Sequence, residues 1–162
     1  MGDRCWLQVT VHRNHVDAFW EAVGDEPKYN NPTMDEWGNS TYEVEEANYG
    51  WYDQLDAAAA AGCIFEGQHG PGGEYGPAAF ACDGQGLCHN VDCDHESTPV
   101  VRCGEDGVDQ RDLVVVQNYW RVFNCARELL ERTGAVELRR IVDDGQGNDQ
   151  DQGAGGDEEV GQ

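Results

Sequence analysis

The chain opens on alternation. Cys5, Leu7, Val9 and Val11 fall on one side of an extended segment and Trp6, Gln8 and Thr10 on the other, the period-2 pattern of a strand. The spacing then changes. Val16, Phe19, Trp20 and Val23 stand at i, i+3, i+4 and i+7, which predicts an amphipathic helix stopped by Gly24. Residues 25–40 are rich in Asn, Pro and Gly and predict a loop, longer than most connections in a compact domain. Residues 41–47 return to alternation, with Tyr42 and Val44 inward and Glu43 and Glu45 outward.

An alanine run marks residues 51–61 as a second helix, with Gly62 as its stop. Short strands are predicted over 63–66 and 78–82, on either side of a glycine-rich loop over 67–77. A further strand is predicted over 98–103. The longest helix is predicted over 113–133, with Val116, Tyr119, Trp120, Phe123, Ala126 and Leu130 along one face and Gly134 at its end. Residues 135–142 suit a last strand. The core candidates are Trp6, Leu7, Phe19, Trp20, Leu55, Phe65, Phe80, Trp120, Phe123, Leu129 and Leu130.

The order β-α-β-α-β-β-β-α-β predicts an α+β fold: a mixed or antiparallel sheet with helices packed on one face, for which a ferredoxin-like arrangement is one candidate. Residues 1–142 form one acidic α+β domain on this reading. Residues 143–162 carry seven acids, no base and one aliphatic side chain beyond alanine, so a disordered acidic tail is expected.

Charge constrains function more than any motif does. The chain has 32 acidic and 10 basic residues among 162, a net of −22, and Lys28 is its single lysine. Residues 1–142 alone hold 25 acids and 10 bases, a net of −15. A basic nucleic-acid footprint and a polybasic membrane patch are both absent, and the mean field opposes direct binding to either surface. No run reaches the roughly 18 apolar residues of a membrane span, and the first residues alternate where a signal peptide would be uniformly apolar. A cytoplasmic protein is expected, in which the seven cysteines are thiols or metal ligands more readily than disulfides.

Candidate chemistry is sparse. The run Cys88, His89, Cys93, His95 offers four zinc-type ligands in eight residues, without a paired C-x-x-C. Its plain alternative is cysteines buried near a loop. The loop His69 to Pro77 has the glycines to approach a phosphate, but it lacks the P-loop spacing and Glu74 opposes an anion, so it reads as a long turn. His12, Arg13 and Asp17 could cluster at a strand end, yet no nucleophile elbow, HExxH or Walker motif accompanies them, so no enzyme is expected.

The stretch Glu45-Glu46-x-Asn48-Tyr49-Gly50-x-Tyr52-Asp53-x-Leu55, followed by Gly62, Phe65, His69-Gly70, Gly73-x-Tyr75-Gly76-Pro77 and Phe80, resembles small uncharacterised acidic proteins of phages and plasmids. The resemblance covers residues 42–83. It implies a mobile-element origin, where inhibitors of host defence are common, and brings no activity or site with it.

The acids suggest a function by their density. A domain of this length is about 35–40 Å across, and B-DNA of that length carries on the order of 20 phosphate charges. The expected function is therefore a nucleic-acid mimic or inhibitor that binds a basic nucleic-acid-binding protein, such as a host defence complex, through Glu43, Glu45, Glu46, Asp53, Asp56, Asp92, Asp94 and Glu96. The alternatives are a small cytosolic zinc-binding domain and a halophilic acidic domain. A halophile would need molar salt to fold, and a mimic would not.

Overall fold

The computed structural model describes residues 3–24 and 31–132. The strand expected over 135–142 and the tail over 143–162 lie outside the described residues. The elements are β1 (Arg4–Val11), α1 (Val16–Val23), β2 (Thr33–Met34), β3 (Ser40–Asn48), α2 (Tyr52–Ala60), β4 (Ile64–His69), β5 (Ala78–Asp83), β6 (His89–Asp92), β7 (Cys103–Gly104), β8 (Gly107–Val108) and α3 (Gln110–Leu130). The fold is α+β. Six strands form one sheet in the order β2-β3-β1-β4-β5-β6, every neighbouring pair antiparallel, and β7 and β8 form a separate hairpin. No helix of the described residues is long and apolar enough to cross a membrane.

The helices divide between the two faces of the sheet, contrary to the expectation of one covered face. Strand alternation shows how. On β5, Phe80 and Cys82 join a core with Leu7, Val9, Val11 and Phe65 beneath α1 and α2. Ala79 and Ala81 point the other way, into a second cluster with Val91, Cys93, Tyr119 and Val122 under α3. A third cluster seats Ile64 against Ala126 and Leu130. Helices on both faces, and a β1 flanked by antiparallel neighbours on both sides, replace the ferredoxin-like candidate.

Several boundaries move for identifiable reasons. α3 begins three residues before its predicted start, because Asp109 caps it by accepting a hydrogen bond from the Arg111 N–H at 2.8 Å. The strand expected over 98–103 does not form. Pro99 has no N–H to donate and makes only an isolated bridge with Cys93. Instead the ladder continues through His89–Asp92, inside the predicted Cys/His loop. Trp6 and Trp120 leave the expected core, at 38% and 42% exposed, and Phe123 and Leu129 are half-buried. The buried line of α3 is Tyr119, Val122, Ala126 and Leu130.

Two polar devices anchor the ends. Buried Asn39 donates to the Leu130 carbonyl at 2.8 Å and to Asp35 at 2.9 Å, and accepts from the Arg13 N–H at 3.2 Å. Arg13 in turn donates to the Trp37 and Arg132 carbonyls. Together they satisfy carbonyls that the last turn of α3 leaves open. The second device is a turn between β3 and α2. Tyr49, Gly50 and Trp51 all have positive φ, at 49°, 61° and 58°, a conformation that L residues seldom hold in succession. A side chain at Gly50 would put its Cβ 2.9 Å from His69 Nε2. His69 Nδ1 donates to the Gly70 carbonyl at 2.8 Å, which leaves Nε2 to accept from the Tyr52 hydroxyl at 3.0 Å. Burial pushes the His69 pKa below its usual value. The Tyr52, His69 and Tyr75 rings meet here edge to face, with centroids 5.4–6.4 Å apart.

Gly67 sits at the centre of the sheet, paired with Val9 of β1 and Phe80 of β5. A Cβ there would stand 2.1 Å from the Gln8 carbonyl oxygen and 2.6 Å from the Phe80 ring. Gly67→Ala should therefore destabilise the domain by about 1–3 kcal/mol, as overpacking does. Val122→Ala should also lower stability, by about 1–3 kcal/mol, whereas Trp120→Ala should stay within about 0.5 kcal/mol of wild type. Urea denaturation of the three variants checks the order; a Trp120→Ala loss larger than that of Val122→Ala would overturn the assignment of α3's buried face.

Candidate functional site

On the face that carries α3, the sheet is only half covered. α3 packs on β4, β5 and β6. The β1–β3 half has no helix on this side among the described residues, and its outward positions are polar apart from Trp6. Thr10 and Thr41 share a hydrogen bond at 2.9 Å, and Gln8 Nε2 donates to Glu43 Oε1 at 3.3 Å. Next to them the ladder is irregular: Leu7 pairs with Val44 and Cys5 with Ala47, so Glu45 and Glu46 together oppose Trp6. Glu46 is ion-paired with Arg4.

A groove of about 260 Å³ runs along the border between the covered and uncovered halves. Its floor is Gln8 and Thr10 of β1 and Glu66 and Gln68 of β4, which face one another in register. Its wall is Tyr119, Trp120 and Phe123 of α3, and Ser97 and Pro99 close one side. The wall exists because Ala79 and Ala81 are small. They let α3 approach β5 closely enough to bury Tyr119, and the next residue then projects over the groove. The Trp120 ring meets Phe123 edge to face, centroids 5.4 Å apart at 89°, and Tyr119 at 5.4 Å and 63°.

Glu66 is the titratable group of the floor. Its Oε1 lies 4.0 Å from Arg127 Nε, and its Oε2 is buried without a hydrogen-bond partner among the described residues. Burial raises its pKa; Arg127 opposes that rise and Glu131 adds to it. Arg127 Cζ also sits 5.5 Å from the centre of the Phe123 ring. Burial likewise raises the Tyr119 pKa, with Cys93 and Glu66 adding to it.

All eight acids expected at a partner surface are exposed, but they do not form one stripe. Glu43, Glu45 and Glu46 lie on β3, beside the groove. Asp53 and Asp56 lie on α2, over the opposite face, and Asp92 shares that side, at a position paired with Ala78. Asp94 is occupied within its own turn, accepting from the Glu96 and Thr98 N–H groups at 2.9 Å each.

The expected zinc ligands do not meet. The segment between them is strand β6, and alternation sends Cys88 to the α1/α2 core and Cys93 to the α3 core. His95 is exposed in the following turn. No group of three His, Cys, Asp or Glu side chains among the described residues is placed to hold a metal, and all seven cysteines are free. The His12, Arg13 and Asp17 cluster does not assemble either. His12 is buried and accepts from the Asn14 N–H at 3.3 Å, and Asp17 is exposed at the start of α1. Of the groove, the sequence pattern found only Tyr119, Trp120 and Phe123, along the apolar face of the long helix, with Trp120 and Phe123 as core candidates. The signal for the rest was the polar side of β1, together with a carboxylate, Glu66, directly after Phe65 in a central strand.

Because the folded pKa of Glu66 is raised, the folded state binds the proton more tightly than the unfolded chain. Stability attributable to Glu66 is then fully present below the ordinary carboxylate pKa and lost as pH rises from there through the raised folded pKa. Glu66→Gln should therefore raise Tm at pH 7, with the gain shrinking toward pH 4. Thermal melts of both proteins across that interval check it; an equal difference at both pH values would refute a buried, proton-binding Glu66.

No protein-family model, curated protein or solved structure matches the chain.

Proposed function

We propose that this chain binds a basic, nucleic-acid-binding protein and competes with nucleic acid for it. The observation that supports the reading is the uncovered half of the sheet. Three consecutive outward carboxylate positions, Glu43, Glu45 and Glu46, stand there on a rigid strand with no helix over them among the described residues. Strand geometry returns a side chain to the same face every second residue, so Glu43 and Glu45 stand about 6.6–6.8 Å apart along β3, about twice the axial spacing of the phosphates of one DNA strand, about 3.4 Å. The bulge doubles the density at one point. A net of −15 over residues 1–142 adds a long-range field that steers a cationic partner. Counterions released from both surfaces would make the association salt-dependent. Asp53, Asp56 and Asp92, on the opposite face, contribute to the field and not to the contact.

The test is capture from a bacterial lysate on the immobilised chain, followed by elution with duplex DNA or with RNA. The captured protein should be basic and should elute with nucleic acid. Its binding should weaken at least about tenfold between 50 and 200 mM salt, as phosphate-like contacts do. Reversing Glu43, Glu45 and Glu46 to Lys together should reduce capture by a similar factor and leave Tm nearly unchanged. A neutral or acidic partner, or binding indifferent to salt, would overturn the reading.

A further inference from the structure

The groove beside the acidic strand is too small for a whole ligand. At about 260 Å³ it falls below the roughly 300–1,000 Å³ that takes a drug-sized molecule. It does have the dimensions and chemistry of a slot for one side chain. Its walls are aromatic rings and its floor supplies carboxylate and amide oxygens. Both favour a planar cation over an anion or an apolar group.

The chain already displays this mode of binding once. The Arg127 guanidinium lies over the Phe123 ring at 5.5 Å and beside Glu66 at 4.0 Å. Trp120, set edge to face against Phe123, presents a second ring into the groove and is 42% exposed. Gln8 gives its amide N–H to Glu43, which leaves the amide oxygen as an acceptor. Indole is the best of the aromatic faces for a cation, and no guanidinium of the described residues lies over it.

We infer that the groove holds an arginine side chain of the partner, stacked on Trp120 with its N–H groups directed to Glu66 and the glutamine amides. The inference rests on the proposed function for the class of partner, and on the groove alone for the site. Arginine is favoured over lysine because its flat, weakly hydrated guanidinium can stack on the indole while donating from its edge in a fixed fork, whereas an ammonium is a compact, strongly hydrated point charge that does not stack. The acidic strand would then supply approach and the groove would supply register, as an anchor residue does at the centre of an interface.

The experiment titrates the intact chain with a capped Gly-Arg-Gly peptide and with the same peptide carrying lysine or citrulline at the centre, by NMR or calorimetry. The arginine peptide should bind at least about fivefold more tightly than the citrulline peptide, and measurably more tightly than the lysine one. Trp120→Ala should weaken it by about fivefold or more with Tm unchanged, Trp120→Phe should restore most of the loss, and Glu66→Gln should weaken it too. Equal binding of arginine and citrulline peptides, equal binding of arginine and lysine peptides, or no effect of Trp120→Ala would overturn the inference. The two readings fail separately. If the peptide binds at Trp120 but no captured protein competes with nucleic acid, the groove stands and the mimic falls. If nucleic-acid-competitive capture survives Trp120→Ala unchanged, the groove falls and the mimic stands.

Discussion

Everything in this fold depends on β5 being buried on both sides. A strand in that position must offer two different surfaces from alternate residues, and Ala78–Asp83 does so by size. Phe80 and Cys82 fill the deep core under α1 and α2, where the layer is thick. Ala79 and Ala81 leave the other surface nearly flat, so α3 settles onto it through Tyr119 and Val122. Close packing of this kind is specific in depth as well as position. Had the back of β5 carried Leu or Val, the helix would stand further out and Trp120 would no longer overhang the sheet. The close seat of α3, and with it the overhanging wall of the groove, is a consequence of two alanines.

How much of this was legible follows from which elements face water. β1, β3, α1 and α2 each have one apolar and one polar side, so their periods show in the sequence. β6 reads poorly because it is an edge strand with a single aliphatic residue, Val91, among His89, Asn90 and Asp92. Along α3 the pattern misplaces only its largest apolar residues, Trp120 and Phe123, whose size suggests burial. Tyr119, Ala126 and Leu130 of the expected face do meet the sheet; position decides the rest, with Val122 completing the buried line and Trp120 standing outside it. The Cys/His run failed for a similar reason. Closeness along the chain suggested closeness in space, but a strand separates Cys88 from Cys93 by turning successive side chains to opposite faces. The groove could not be found from spacing at all, since residues of β1, β4 and α3 meet only through long-range pairing.

The domain also shows how a chain with so few bases uses them. Arg13 is tied to the Trp37 carbonyl and, just past the end of α3, to that of Arg132, and Arg102 grips Asp112 through two bonds of 2.7 Å at the start of α3. Arg127 lies along the groove edge. These arginines act as local fasteners with definite geometry, so little cationic surface remains to offset the carboxylates, and the exterior field stays one-signed. Self-repulsion of that size works against compactness. The fold resists it with a core that is apolar on two sides of a single sheet.

The bulge in β3 has an implication for how such a surface arises. Val44 and Ala47 both face the core although they are three positions apart, because the extra residue between them is absorbed where two side chains oppose Trp6. Removing one of the two glutamates would return the ladder to plain alternation and leave every inward residue where it is. Charge at this place is thus carried by chain length rather than by substitution. A lineage could gain or lose it by inserting or deleting one codon, without renegotiating the interior, and the surface is free to drift at a rate the core does not share.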